Sequence, residues 1–130
     1  MAYQNLREWE QSLAYYRKSL KIREELGYRP GVAAVLGRMG AVYEHIDKID
    51  QALDCYLEAA RIFEEIDDAS EERDVRYDSA MIYHERGELR KCIAEMKRVV
   101  ELDRLLKSPD LDADLALLRE IEDHITGGQE

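Results

Sequence analysis

The sequence is poor in the residues that interrupt helices and in those that build disulfide or zinc sites. It has 2 prolines and 7 glycines, and its only cysteines, Cys55 and Cys92, lie far apart. Without a CxxC spacing they predict neither a zinc site nor a disulfide framework, so we expect two reduced packing residues. No apolar run approaches the ~18–20 residues that cross a bilayer, and the first residues lack the apolar core of a secretory signal. The sequence therefore predicts a cytoplasmic protein with no membrane partner.

Basic residues are also relatively few. Twenty-nine acidic side chains stand against nineteen basic ones, which gives a formal net charge of −10. Such a chain repels a phosphate backbone and attracts basic protein surfaces, so we expect a protein or peptide partner with a basic or apolar segment, and no nucleic acid. Charged and apolar residues are interleaved as in amphipathic helices, which predicts an all-α chain.

A stripe of apolar residues recurs every forty residues. Positions that share a register across three copies include Trp9, Ile49 and Leu89, then Tyr16, Tyr56 and Met96, then Ile22, Ile62 and Leu102. Within each copy these positions step by three or four residues, as on one face of a helix. A second helix precedes the stripe: Pro30 fits the first turn of one, Asp68 and Glu71 predict a capping box for the next, and Ser108-Pro109 precedes the third.

The small and large residues of these helices resemble the tetratricopeptide repeat, in a longer forty-residue variant. The pattern of that family is met in the first copy, in order, by Leu36, Met39, Gly40, Tyr43, Ala52 and Tyr56. In the second copy Ala80, Tyr83, Cys92 and Met96 keep their places, but Arg76 and Ser79 replace large apolar residues. The resemblance implies a right-handed α-solenoid of antiparallel helical hairpins. A heptad coiled coil is the alternative fold, and the small-residue positions and the two prolines disfavour it.

The recurrence predicts one array across residues 1–130. It comprises a half repeat at 6–27, full repeats at 30–67 and 70–107, and a terminal helix at 109–126 that has polar residues where its next partner would pack. The half repeat should present an uncovered apolar face with Trp9, Leu13, Tyr16 and Leu20. An exposed patch of that kind predicts self-association, such as a homo-oligomer, or capture of a partner at an open end.

In the family that the chain resembles, the first helix of each hairpin lines a concave groove that holds a partner segment. The resemblance places the following residues on that groove: Ala34, Gly37, Ala41, Glu44, His45, Asp74, Tyr77, Met81, His84, Glu85, Ala116, Glu120, Asp123 and His124. The stripe of Ala34, Gly37 and Ala41 favours either tight helix packing or a floor for a ligand. Capture of a terminal carboxylate, a known use of such grooves, is disfavoured because the equivalent faces lack Lys, Arg and Asn. The expected function is a non-enzymatic scaffold or adapter for protein–protein interaction.

A small-ligand or metal-responsive regulatory domain is the alternative function. Glu44, His84 and His124 fall near one level of consecutive first helices and have the side chains of metal ligands. Neighbouring helices lie ~8–10 Å apart whereas a metal holds its ligands ~2 Å away, so a polar row along the groove is the favoured interpretation.

Other chemical sites are not supported by the sequence. The segment DLDADL at 110–115 imitates a calcium loop, but Leu115 and Ile121 stand where glycine and glutamate are needed. No nucleophile with a base and no phosphate-binding loop is found, so we predict neither an enzyme nor a cofactor.

Overall fold

The computed structural model describes residues 2–128, with the side chains of residues 6–127. This range holds six helices and no strand, which confirms the predicted all-α architecture of helical hairpins. The helices are α1 (Ala2–Leu26), α2 (Arg29–His45), α3 (Ile49–Glu65), α4 (Ala69–Glu85), α5 (Leu89–Leu106) and α6 (Leu111–Gly128). None of these helices is long and apolar enough to cross a membrane.

Five turns between helices share one backbone feature, a residue in the left-handed conformation with φ between 53° and 74°. These residues are Gly27, Asp47, Asp67, Gly87 and Lys107, one every twenty positions. In the α2–α3 turn, for example, the Lys48 amide donates to the Tyr43 carbonyl (2.8 Å), which closes the end of the helix. Two helices with their two turns account for the forty-residue period.

The first compact unit, Met1–Asp67, contains α1, α2 and α3, and α2 packs against both of the others. Pro30 lies in the first turn of α2, as predicted. Gly40 faces the ring of Tyr56 on α3, where an added Cβ would lie 2.7 Å from the ring. Only glycine permits this separation of the helices, which is the physical reason for Gly40 in the sequence pattern.

The sequence predicted an uncovered face of α1 with Trp9, Leu13, Tyr16 and Leu20, and this prediction is wrong. Leu13 is buried, and Trp9, Tyr16 and Leu20 are half-buried, because α2 packs against α1. The hydrogen bond from Arg17 to the Tyr43 hydroxyl (3.0 Å) belongs to the same contact. The apolar residues that α1 does expose lie on another face, and they are Tyr15, Ile22 and Leu26.

The second compact unit, Asp68–Glu130, contains α4, α5 and α6, and here α5 packs against both of the others. Asp68 caps α4 by accepting a hydrogen bond from the Glu71 amide (3.2 Å), as predicted. The Ser108 hydroxyl accepts from the Asp110 amide (3.1 Å), so a polar turn precedes α6, which begins at Leu111 rather than at Pro109. Cys92 here and Cys55 in the first unit are buried and free, as expected.

Candidate functional site

In the first unit the predicted groove residues lie along α2. Ala34 and Gly37 are half-buried, and Ala41, Glu44 and His45 are exposed. The Tyr56 hydroxyl donates to the Glu44 carboxylate (2.6 Å), and the His45 ring stacks on Trp9 with 4.6 Å between centroids. These two polar residues therefore stabilise the contacts of α2 with α3 and α1, and Ala34, Gly37 and Ala41 leave a surface almost without side chains.

In the second unit α4 presents two half-buried apolar residues at predicted positions, Tyr77 and Met81. The Arg73 guanidinium lies 5.1 Å from the centre of the Tyr77 ring, so this ring also forms a cation–π contact. Around them Asp74, His84 and Glu85 are exposed, which gives α4 an acidic outer surface with an apolar centre.

The end of α4 and the middle of α6 enclose a cavity of about 430 Å³, which we call the His84–His124 cavity. Its lining residues are His84, Gly87, Leu89, Leu117, Glu120, Ile121 and His124. Three of them were predicted for the groove, namely His84, Glu120 and His124, and the structure brings these three to one depression. The remaining predicted residues of α6, Ala116 and Asp123, are exposed on the same helix.

A second cavity of about 510 Å³ shares three of these lining residues, Gly87, Leu89 and His124. Its other walls are Glu88, Arg90, Lys91 and Ile125. Lys91 lies over the Tyr83 ring and within 3.5 Å of the Glu88 carboxylate. Basic side chains at this end of α5 were not predicted as part of the site, because sequence periodicity places α5 behind the groove-lining helices.

A metal centre receives no support from side-chain geometry. Among the residues that the structure describes, no three histidine, cysteine, aspartate or glutamate side chains come together as ligands. His84 and His124 share a cavity, whereas Glu44 accepts the hydrogen bond from Tyr56 described above.

Buried ion pairs in the second unit were missed by sequence reasoning. Glu72 is buried on α4 and accepts hydrogen bonds from Arg76 (2.6 Å) and from Arg98 of α5 (2.8 Å). Burial raises the pKa of Glu72, but the two guanidinium groups outweigh this effect and hold it below its ordinary value. Arg76 also lies 3.3 Å from Glu95. Arg76 could have indicated these ion pairs in the sequence. It replaces a large apolar residue of the repeat pattern, and a charged side chain at such a position needs an acidic partner.

A second set of ion-paired side chains connects the three helices α4, α5 and α6. Arg73 of α4 donates to Asp103 of α5 (2.9 Å) and to Asp114 of α6 (2.5 Å). The structure shows that Asp114, in the acidic start of α6, holds this helix through Arg73, which no local pattern could indicate.

Comparison with known proteins identifies repeats of one kind. A family model described as tetratricopeptide repeat matches residues 1–65, and a second model with the same description matches residues 74–104. A comparison with curated protein sequences gives no match.

Among solved structures, the chain is similar to the crystal structure of BtubC (BKLC) from P. vanneervenii, with a TM-score of 0.64 and 14% sequence identity. The match covers 92% of this chain and 59% of that one, so the chain spans about six-tenths of the length of the solved protein. At this identity the likeness supports the fold.

Proposed function

This chain belongs to the tetratricopeptide repeat family, and we propose that it is an interaction module that binds a segment of a partner protein along its first helices. Repeats of this family generally mediate protein–protein interactions. The observation that carries the more specific proposal is the His84–His124 cavity, because groove residues of α4 and α6 line a depression with an apolar floor.

The chemistry of the cavity favours an apolar side chain of the partner in its centre. Leu89, Leu117 and Ile121 form the apolar walls, and a buried apolar anchor of this kind supplies much of the affinity of an interface. Tyr77 and Met81 extend the apolar surface along α4. Methionine adapts to irregular shapes, so this part of the groove can accept different apolar side chains.

The rim of the groove favours basic residues beside that anchor. Asp74, Glu85, Glu120 and Asp123 are exposed on α4 and α6, and the chain has a net charge of −10. Opposite charges at a rim raise association rates and select partners more than they raise affinity. We therefore propose a partner segment in which an apolar residue is flanked by lysine or arginine.

The experiment is affinity capture with the full chain, followed by titration of the captured segment as a peptide. Tyr77→Ala, Met81→Ala and Leu117→Arg should each raise the Kd about tenfold or more, since each changes the apolar surface. Lys97→Ala, at an exposed position of α5, is the matched control and should leave the Kd unchanged. Added salt should weaken binding if the rim contacts basic residues. Normal binding to all three groove variants would contradict the proposal.

A small ligand is the second candidate, because cavities of 430 and 510 Å³ fall within the range of ~300–1,000 Å³ typical of ligand sites. The two histidines give such a site polar contacts. Titration of the chain with Zn²⁺, with and without chelator, and the same titration of His84→Ala, separates this candidate from peptide binding.

A further inference from the structure

One face of α1 is exposed although its counterparts in α3 and α5 are buried. Ile22, Ile62 and Leu102 occupy the same register of the forty-residue repeat. Ile62 and Leu102 are each 1% exposed, whereas Ile22 is 56% exposed. Ser19 is half-buried, and its counterparts Ala59 and Val99 are fully buried. We call this part of α1, formed by Tyr15, Lys18, Ser19, Ile22 and Leu26, the open face.

In the first unit, the corresponding face of α3 is covered by α2. Gly40 packs against the ring of Tyr56, and Arg29 of α2 forms an ion pair with Glu65 of α3 (2.5 Å). Tyr16 and Glu25 are the residues of α1 at the registers of Tyr56 and Glu65.

In the second unit, the corresponding face of α5 is covered by α4. Glu72 of α4 accepts hydrogen bonds from Arg98 of α5, and Arg76 pairs with Glu95. On α1, Lys18 lies at the register of Arg98 and Tyr15 at that of Glu95. The open face of α1 thus corresponds to the face of α3 that α2 covers and to the face of α5 that α4 covers.

The contact between α1 and α2 does not use this surface. α2 lies against the face that contains Trp9 and Leu13, which points away from Ile22 on the helix. Within the described residues the open face therefore has an apolar centre of Tyr15, Ile22 and Leu26, and all three are more than half exposed.

We propose that the open face is a docking site for an amphipathic helix of another protein, distinct from the groove on the first helices. The internal repeats specify the chemistry of that helix. It places glycine against Tyr16, as Gly40 does against Tyr56, and an acidic side chain opposite Lys18, as Glu72 does opposite Arg98. Apolar residues between these two positions cover Ile22.

A second copy of the chain does not supply such a helix. Leu118 and Ile121 of α6 are buried one residue short of the forty-residue register of Met39 and Val42, and in this shifted alignment Arg119 stands where Gly40 stands in α2. An added Cβ at Gly40 would already lie 2.7 Å from the tyrosine ring, so arginine at that place holds the helices apart. The net charge of −10 further opposes association of identical chains.

The test uses a labelled peptide with the sequence of α2, RPGVAAVLGRMGAVYEH, in which Val32→Glu supplies the acidic residue at the register of Glu72; the full chain is the receptor. A peptide of this length is only marginally helical in water, so it is stapled on the side away from Gly40. Fluorescence anisotropy should show saturable binding. Ile22→Lys in the chain and Gly40→Arg in the peptide should each raise the Kd at least tenfold.

Leu105→Lys is the matched control, because Leu105 of α5 is also an apolar side chain that is more than half exposed and lies outside the open face, and it should leave the Kd unchanged. Leu117→Arg should also have no effect, which separates this site from the groove. The proposal is overturned if the peptide does not bind, or if Ile22→Lys and Leu105→Lys have equal effects. It is also overturned if sedimentation shows a dimer that Ile22→Lys dissociates, since a second copy then covers the face.

Discussion

Asp103 is a fully buried carboxyl group with an incomplete set of partners. Its Oδ1 accepts from Arg73, whereas within the described residues its Oδ2 has no hydrogen-bond partner. Burial raises the pKa of Asp103 to about 6, and the neighbouring carboxyl of Asp114 adds to this effect, while Arg73 opposes it. Arg73 also forms ion pairs with the exposed carboxylates of Asp74 and Asp110, so its guanidinium is shared among several acidic groups. The fold thus shifts Asp103 towards its protonated form, although near pH 7 the carboxyl is mostly ionised and pairs with Arg73.

This residue predicts a pH dependence of stability with a definite sign. The folded pKa of about 6 lies above the ordinary 3.8, so the folded protein binds this proton more tightly than the unfolded chain does. The contribution to the free energy of unfolding is therefore fully present below pH 3.8 and is lost as the pH rises through about 6. Between pH 4.5 and 7, wild type should lose on the order of 1–3 kcal/mol relative to Asp103→Asn.

Urea unfolding of both proteins at several pH values measures this difference, and taking the difference removes the effects of surface charges common to both. A difference that is constant with pH, or that changes in the opposite direction, would show that the pKa of Asp103 is not raised in the folded state.

Helix α6 is attached to the rest of its unit differently from the other helices. Leu118 and Ile121 pack inward, but Arg119 and Glu122 replace the small residue and the tyrosine of the repeat pattern. The ion pairs from Arg73 to Asp103 and Asp114 connect α4, α5 and α6 at one point. A polar contact of three helices compensates for the smaller apolar face of the last one.

Removal of Arg73 should therefore destabilise the second unit strongly. Arg73→Leu leaves Asp103 and Asp114 buried without their cation, which typically costs about 3–5 kcal/mol. Arg29→Leu is the control, since the Arg29–Glu65 pair is about half exposed and such pairs contribute ~0–1 kcal/mol. Urea unfolding at pH 7 measures both, and hydrogen exchange should show faster exchange of the α6 amides in Arg73→Leu. Equal effects of the two substitutions would mean that the buried pair does not hold α6.

The whole chain consists of two compact units, Met1–Asp67 and Asp68–Glu130, and each contains one buried free cysteine. Burial raises the pKa of Cys55 to about 11, with the nearby Glu58 adding to the effect, and burial also raises the pKa of Cys92. Since the thiolate is the reactive form, both cysteines should react with alkylating reagents only after local or global unfolding. Each thiol thus reports on the opening of its own unit.

We expect Arg73→Leu to increase the labelling rate of Cys92 at least tenfold and that of Cys55 much less. The ion pairs of Arg73 lie within the second unit, and in repeat proteins a destabilised repeat can open while others stay folded. Labelling with iodoacetamide under native conditions, read by mass spectrometry of the two cysteine peptides, tests this. Equal acceleration of both thiols would show that the chain unfolds as one unit.

The sequence by itself determined the helices, their turns and the repeat family. Helix boundaries follow from local chemistry, namely the stripe at three- and four-residue steps, Pro30 in a first turn and the Asp68 cap. Gly40 and Tyr56 could also be assigned correctly, because the repeat places the same close helix contact at the same register.

Only the tertiary structure decided which face of α1 is covered, how Arg73, Asp103 and Asp114 meet, and which groove residues enclose a cavity. The face of α1 depends on where α2 packs, so Leu13 is buried and Ile22 is exposed although both are apolar positions of one stripe pattern. The ion pairs join residues 30 and 41 positions apart in the sequence. Periodicity describes one helix at a time, whereas burial and charge pairing depend on the distance between helices, and that distance is fixed only when their side chains pack.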